Sequence, residues 1–173
     1  MQEREEQVVL VNEKDEQTGL AGKTEAHAKG LLHRAFSVFV FNERGELLLQ
    51  QRAAHKYHSP LQWANTCCSH PREGEDLIDA GKRRLKEEMG FSCELEKKFH
   101  FIYKASFDNG LIEHELDHVL VGYASVRPDI NPDEVHDFKW MPLDEVVKDI
   151  EVRPEVYTPW FKIILKEYLE SLS

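Results

Sequence analysis

The strand pattern between residues 33 and 52 constrains the fold more than any other feature of this sequence. His33 to Phe41 is a run of β-branched and aromatic residues typical of a strand, and Glu46 to Arg52 predicts a second strand. The residues from Asn42 to Gly45 between them have the composition of a tight turn. Together these segments predict a β-hairpin, so the chain is expected to build a sheet around it.

An amphipathic helix is predicted over residues 75–89. Leu77, Leu85 and Met89 recur on one stripe of this segment, charged residues cover its other faces, and Gly90 stands where a C-terminal cap is expected. The N-terminus of this helix therefore follows closely after a loop that contains two cysteines and a histidine.

The remaining elements are predicted from the same kinds of pattern. In chain order they are a strand at 7–12, a polar turn and a Gly-punctuated loop up to residue 33, strands at 98–107 and 111–126 joined by Asp108-Asn-Gly110, a strand at 135–141, a short helix at 142–148 and a longer helix beginning at Thr158. This order of strands, helix, strands and helices predicts an α/β protein of the mixed α+β type with antiparallel pairings.

Composition limits the class of protein. The chain has 173 residues, of which 41% are hydrophobic, so residues 1–173 are expected to form one domain. The net charge of -10 argues against a nucleic-acid partner or an anionic membrane surface. Because the chain lacks an apolar run of about 18 to 20 residues and residues 1–7 lack the layout of a secretory signal, no membrane span and a cytoplasmic location are expected. The oligomeric state is left open by these numbers.

A thiol and an imidazole lie close together in the segment from Trp63 to Pro71. Cys68 and His70 are two positions apart, and Pro71 favours an extended backbone at His70, which would point both side chains the same way. The cysteines of this chain form no CxxC motif, so reduced thiols are expected. The segment fits a reactive pair in one pocket, and it also fits an inert buried cysteine beside a capping histidine.

Two further sets of side chains are candidates for binding. Nitrogen and oxygen donors suited to Mn²⁺, Zn²⁺ or Mg²⁺ are offered by His27, His33, His70, Glu113 and Glu115, with both glutamates on one face of a predicted strand. Cations suited to a phosphate group are Lys23, Arg52, Lys56, Arg83 and Arg84. From the sequence alone, an ordinary solvated surface is the more common explanation for each set, and only convergence in three dimensions would make it a site.

The carboxylates of the predicted helix allow two interpretations. Glu88 follows Arg84 by one turn, which is the spacing of a simple ion pair. A carboxylate at this place is also suited to holding Mg²⁺ together with the phosphates of a substrate.

The helix segment resembles the latter part of the Nudix signature. The matching residues are Glu75, Arg83, Leu85, Glu87, Glu88, Gly90 and Phe91. The sequence departs from the signature at Ser69, where a glycine belongs, and at Arg84, where a helix glutamate belongs. Because Nudix pyrophosphohydrolases need that glutamate for their metal array, the resemblance implies a Nudix fold with a different activity.

Four further motifs resemble type I isopentenyl-diphosphate Δ-isomerases, over the chain from Gln7 to Leu169. They are His33-Arg-Ala-Phe-Ser-Val-Phe, Trp63-Ala-Asn-Thr-Cys-Cys-Ser-His-Pro71, Ile112-Glu-His-Glu-Leu116 and Thr158-Pro-Trp160. The resemblance implies a Nudix-type mixed sheet with antiparallel hairpins packed between helices. It also implies an isoprenoid diphosphate substrate, with isopentenyl diphosphate converted to dimethylallyl diphosphate through a tertiary carbocation. The alternatives are a Nudix pyrophosphohydrolase acting on a nucleotide-type diphosphate, and a non-catalytic metal or redox module.

The resemblance also implies a role for each matching residue. Cys68 and Glu115 match the catalytic groups on opposite faces of the substrate, Tyr103 the phenol beside the carboxylate, and Trp160 the aromatic face next to the hydrocarbon. We assign proton donation to Glu115 and proton removal to Cys68, a direction that the sequence does not establish.

The remaining matches concern metals and the diphosphate. His27, His33, His70, Glu113 and Glu115 match the ligands of one tightly bound divalent metal. Glu88 and the backbone carbonyl of Cys68 match the site of the Mg²⁺ that arrives with the substrate. The diphosphate-binding cations of the family match Lys23, Arg52, Lys56 and Arg84.

Overall fold

A computed structural model describes residues 6–56 and 58–172 of the chain. Residues 1–5, 57 and 173 lie outside the described residues. The predicted domain over 1–173 and the segment 1–7, interpreted above as lacking a secretory signal, therefore extend beyond what the structure describes. The strands are β1 (Gln7–Val11), β2 (Gln17–Gly22), β3 (His33–Phe41), β4 (Glu46–Arg52), β5 (Trp63–Ala64), β6 (Cys67–Ser69), β7 (Leu95–Ser106), β8 (Ile112–Tyr123) and β9 (Val135–Pro142). The α-helices are α1 (Lys23–Lys29), α2 (Leu77–Met89), α3 (Leu143–Val152) and α4 (Pro159–Glu167).

Strand β3 is the centre of the sheet. It pairs in parallel with β8 along its whole length, from His33 opposite Glu115 to Phe41 opposite Tyr123. Its other edge is shared by β1 at its start, β6 in its middle and β4 at its end. The predicted hairpin of β3 and β4 is therefore wrong beyond the turn, because the two strands pair only at Phe41 and β6 takes the remaining edge.

Helices cover both faces of this sheet. Successive side chains of β3 point to opposite faces, so Phe39 packs in the cluster that contains α4, whereas Val38 packs in the cluster that contains α2. Leu85 and Met89 of α2 are fully buried against that second face. The fold is thus a mixed sheet between helices, as the sequence predicts.

Helix α2 has well-defined ends. The carboxylate of Asp76 accepts hydrogen bonds from the backbone N–H groups of Ile78 and Asp79. Gly90 ends the helix with a φ of 76°, and a Cβ at this position would lie 2.4 Å from the carbonyl oxygen of Asp129. The predicted helix and its glycine cap are confirmed, and these ends fix which residues of α2 face the sheet.

The stretch from residue 17 to residue 29 differs from its prediction. It contains β2, which forms a hairpin with β1, and the seven-residue helix α1, where a turn and a loop are expected. Helix α1 buries only Ala26 and His27, so it is too short to show a hydrophobic period. Lys23 and His27 consequently stand on a helix.

The second half of the chain follows its prediction closely. β7 and β8 form the antiparallel hairpin expected from the Asn-Gly turn, and β9, α3 and α4 lie near their predicted positions. Thr158 directly precedes α4, although its side chain makes no capping hydrogen bond. Among the described residues, no helix combines the length and the apolar character that a membrane crossing requires.

Candidate active site and metal centre

Residues from six elements and two loops meet in one cleft. The predicted site residues that line it are Lys23, Arg52, Lys56, Cys68, His70, Arg84, Glu88, Glu113, Glu115 and Trp160. Three further ones, His27, His33 and Tyr103, are buried around the two strand carboxylates and contact them. The structure therefore brings together groups that are scattered over more than 130 positions of the sequence.

Three histidines form the floor of this site. His33 begins β3, His70 follows β6, and His27 lies on α1, with their ligand nitrogens within 4.8 Å of one another. Nδ1 of His27 lies 2.7 Å from the carbonyl oxygen of Lys23, and Nδ1 of His33 lies 2.9 Å from that of Leu31. Since a carbonyl only accepts, Nδ1 carries the proton in both rings and Nε2 offers its lone pair to the site.

Two carboxylates face these nitrogens. The parallel register of β3 and β8 puts Glu115 opposite His33, and Oε2 of Glu115 lies 3.3 Å from Nε2 of His33 and 3.0 Å from Nε2 of His70. Oε2 of Glu113 lies 3.7 Å from Nε2 of His27. Glu113 and Glu115 share one face of β8 because alternate residues of a strand point the same way.

This donor set fits a divalent cation. Donors bound to one ion at about 2.1 Å lie roughly 3 Å apart, which is close to the separations between the imidazole nitrogens and Oε2 of Glu115. Nε2 of His33 is buried and has no hydrogen-bond partner among the described residues. Buried polar atoms are rarely left without a partner, so this atom is suited to be a metal ligand. Nitrogen and carboxylate donors suit Mn²⁺, Zn²⁺ or Mg²⁺.

The electrostatics of the two glutamates favour their charged forms. Burial raises the pKa of Glu115, but the imidazoles of His33 and His70 beside its Oε2 outweigh burial and hold that pKa below its usual range. Burial and the neighbouring Glu115 raise the pKa of Glu113, and its bonds with His27 and His58 still leave it lowered. Two carboxylates thus stay charged beside each other in the core, which requires compensating positive charge.

Tyr103 lies on β7, and its side chain contacts both of these carboxylates on β8. Its hydroxyl lies 2.9 Å from Oε1 of Glu115 and also contacts Oε1 of Glu113. The two oxygens of Glu115 therefore have different surroundings, since Oε2 faces the imidazoles and Oε1 faces the phenol.

Cys68 also lines the cleft. Its Sγ receives a hydrogen bond from Nε1 of Trp160 at 3.0 Å and lies 3.3 Å from Oδ1 of Asn65. Burial raises the pKa of the Cys68 thiol well above its usual range, and the charges of Asp117 and Glu88 raise it further. Cys67 points the opposite way, into the core beneath α2.

Lys23, Lys56 and Arg84, three of the cations that line the cleft, already have acidic partners. Arg84 lies 2.6 Å from Glu87, 3.1 Å from Glu88 and 3.4 Å from Glu134. Glu134 also pairs with Lys56, so one carboxylate bridges two of the cations predicted to bind a diphosphate. Both interpretations of Glu88 remain open, since its ion pair with Arg84 is present and its carboxylate lines the cleft.

Several residues of the site have no counterpart in the sequence prediction. His58 lies with Nε2 at 2.6 Å from Oε2 of Glu113, Asn65 binds both Cys68 and Trp160, and Glu134 bridges two cations. Single polar residues in loops give no periodic pattern, so nothing in the sequence alone distinguishes them from solvated loop residues. The prediction also includes Arg83 as an anion-binding candidate, and that guanidinium instead binds Glu75 in a bidentate pair outside the cleft.

Comparisons with known proteins agree with this geometry. The NUDIX domain model matches residues 31–161. "Isopentenyl-diphosphate Delta-isomerase 2" of Aromatoleum aromaticum is 52% identical over 169 residues, covering 98% of this chain and 89% of the relative. The protein of the same description from Photorhabdus laumondii is 54% identical over 161 residues, covering 93% of this chain and 91% of the relative.

Solved structures agree in fold at low sequence identity. A crystal structure of a Deinococcus radiodurans protein has a TM-score of 0.75 at 18% identity and covers 94% of this chain and 99% of that chain. The MutT protein of Methanosarcina mazei has a TM-score of 0.67 at 16% identity, covering 80% and 94% respectively. At these identities the likeness concerns the fold alone.

Proposed function

This chain belongs to the isopentenyl-diphosphate Delta-isomerase family of the NUDIX fold, and we propose that it interconverts isopentenyl diphosphate and dimethylallyl diphosphate. The observation that carries the proposal is the shared cleft, in which Cys68 and Glu115 stand with an aromatic ring and four cations. Moving an unactivated double bond requires an acid, a base and a dry cavity between them, because a tertiary carbocation forms on the way.

Glu115 is proposed as the group that gives a proton to the substrate. Its Oε2 lies among imidazole nitrogens, whereas its Oε1 accepts from the hydroxyl of Tyr103 at 2.9 Å. Because its lowered pKa keeps Glu115 charged at rest, the proton that it gives must reach Oε1 during the reaction, through the adjacent hydroxyl of Tyr103. A Glu115→Gln variant is expected to lose turnover, because an amide cannot cycle a proton.

Cys68 is proposed to remove a proton from the opposite side of the substrate. Sγ has one hydrogen-bond acceptor, Oδ1 of Asn65, and one donor, Nε1 of Trp160. Cys68 acts as the thiolate, which the donor stabilises, and the acceptor orients the S–H that forms when sulfur takes the substrate proton. Since the reaction is reversible, both groups must act in either direction.

The metal ligands are proposed to be His27, His33, His70, Glu113 and Glu115. When bound, a divalent cation would supply positive charge that stabilises the two buried carboxylates. Glu88 and the backbone carbonyl of Cys68 are proposed to hold Mg²⁺ that enters with the diphosphate, in keeping with the preference of Mg²⁺ for carboxylate and phosphate oxygens.

The diphosphate is proposed to bind Lys23, Arg52, Lys56 and Arg84. Lys56 and Arg84 already share the carboxylate of Glu134, so the incoming diphosphate must replace Glu134 as their counterion. Arg84 also counts against the pyrophosphohydrolase alternative, because a cation stands where those enzymes need a glutamate ligand. The single domain over residues 1–173 and the cytoplasmic location remain predictions.

The test is incubation of metal-loaded protein with isopentenyl diphosphate in D₂O. We expect dimethylallyl diphosphate that carries deuterium from the solvent, detected by mass spectrometry or NMR. Release of phosphate or pyrophosphate without isomer would overturn the proposal in favour of hydrolysis. The variant Glu115→Gln serves as the negative control.

A further inference from the structure

His58 is a buried polar side chain of the cleft that the mechanism above leaves unused. It lies in the loop between β4 and β5, and its Nε2 is 2.6 Å from Oε2 of Glu113. The ligand atoms of His27, His58 and Glu113 lie within 4.8 Å of one another, a spacing that would also suit a metal ligand. The hydrogen bonds of the His58 ring indicate whether its Nε2 binds a metal directly or donates a hydrogen bond to Glu113.

The tautomer of His58 differs from that of the floor histidines. His27 and His33 each bind a carbonyl oxygen through Nδ1, which leaves the lone pair on Nε2. In His58 the hydroxyl of Ser59 lies 3.4 Å from Nδ1 and can donate to it, while Nε2 faces a charged carboxylate oxygen that only accepts. The proton therefore lies on Nε2, which cannot offer a lone pair to a metal at the same time.

The ring of His58 is held in this orientation by two aromatic neighbours. It stacks on Phe107 with ring centroids 4.8 Å apart and planes within 10° of parallel. The ring of Trp160 meets it edge to face at 5.9 Å. A histidine clamped in this way presents Nε2 in a fixed direction.

We propose that His58 is a positioning residue of the metal site, which donates from Nε2 to Oε2 of Glu113 and holds that carboxylate against His27. Tyr103 contacts the other oxygen of Glu113, so the two residues together fix the plane of the carboxylate. Outer partners of this kind set metal affinity because they pre-orient the ligand. The inference rests on the metal site of the proposed function and adds to it a residue outside the ligand set.

His58 also connects two parts of the cleft. It follows Lys56, one of the proposed diphosphate cations, by two positions in the same loop. Its bond to Glu113 therefore ties the loop that carries Lys56 to the metal-binding strand β8. We expect loss of this bond to raise the KM for isopentenyl diphosphate more than it lowers kcat at saturating metal.

The test measures the Kd for Mn²⁺ of the full chain in the absence of substrate, by the EPR signal of free Mn²⁺. His58→Ala is expected to raise this Kd by about 10- to 100-fold. His58→Gln keeps an N–H donor and is expected to recover most of the affinity. His55→Ala, an exposed histidine of the same loop, is the matched control and should bind like the wild type.

Other outcomes would overturn the proposal. Wild-type affinity in His58→Ala would show that the bond to Glu113 does not matter, and equal loss in His58→Gln and His58→Ala would point to a direct ligand. If His58→Ala does not fold, His58→Phe keeps the stacking on Phe107, lacks the donor and must lose affinity to the same extent. Because no substrate is present, weakened Mn²⁺ binding in a protein that does not isomerise would refute only the proposed function.

Discussion

Replacement of Trp160 separates two tasks that its indole ring is proposed to perform. The ring is almost fully buried and its Nε1 donates to Asn65 at 3.1 Å and to Sγ of Cys68 at 3.0 Å. The guanidinium carbon of Arg52 lies 5.4 Å from the ring centroid, so a face of the ring already meets a cation. Phenylalanine at this position keeps an aromatic face without the donor, and leucine keeps neither.

The expected magnitudes differ for stability and for catalysis. Loss of the N–H donor costs about 1 kcal/mol, and the smaller side chain adds about 1 to 2 kcal/mol for the cavity it leaves. Both Trp160→Phe and Trp160→Leu should therefore lower the free energy of unfolding by roughly 2 to 3 kcal/mol. An aromatic face stabilises a cation in a dry pocket by about 2 kcal/mol, which corresponds to roughly 30-fold in kcat.

The assay compares kcat of both variants at saturating isopentenyl diphosphate, with urea denaturation to confirm that each is folded. Trp160→Phe should retain about 30-fold more kcat than Trp160→Leu. Equal losses in two equally folded variants would refute the idea that the ring stabilises a carbocation. The indole would then serve only to pack and to orient Cys68.

Three further predictions concern the thiols, the metal and an ion pair. Cys68→Ala should reduce kcat by about 10²- to 10⁴-fold, as loss of an acid–base group does, whereas Cys67→Ala should stay within a few-fold of wild type in the same assay; equal effects would contradict the assignment. Dialysis against a chelator should abolish turnover and lower Tm, and Mn²⁺, Zn²⁺ or Mg²⁺ should restore both, because a ligand that binds the folded state stabilises it; an unchanged Tm would speak against the site. The bidentate bond from Arg83 lowers the pKa of Glu75, so this pair stabilises the fold above the unfolded-state pKa and its contribution is lost as the pH falls through the folded-state pKa. In urea denaturation Glu75→Gln should therefore be less stable than wild type at pH 7, with a difference that narrows below about pH 4.3, and a difference independent of pH would refute it.

Local patterns explain which parts of the fold could be predicted from the sequence. The stripe of Leu85 and Met89 and the cap at Gly90 report on contacts within one helix, and the Asn-Gly turn before β8 reports on neighbouring strands. The parallel pairing of β3 with β8 depends on residues far apart in the chain, and it leaves no short-range pattern. The expected hairpin of β3 and β4 fails for this reason, since a turn predicts a reversal of the chain and not the partners on either side.

The site shows the same division. Glu113 and Glu115 are recognisable as a pair because strand alternation puts them on one face, and Cys68 and His70 are recognisable for the same reason. His58 stands alone in a loop, and its importance comes from a hydrogen bond to a residue on a distant strand. The partners of the cations, such as Glu134, could not be predicted from the sequence either, because the contacts of long side chains are determined only in the folded protein.

The parallel register of β3 and β8 also has a consequence for how the chain folds. Ser37 and Asp117, which share a hydrogen bond across this pairing, are 80 positions apart, and His70 is 45 positions from Glu115. Contacts at such separations form late in folding, because closing the long loops between the residues has a large entropic cost. A nascent chain therefore has no complete set of donors until β8 has been synthesised and docked, and we expect metal capture to follow folding of the sheet and not to nucleate it.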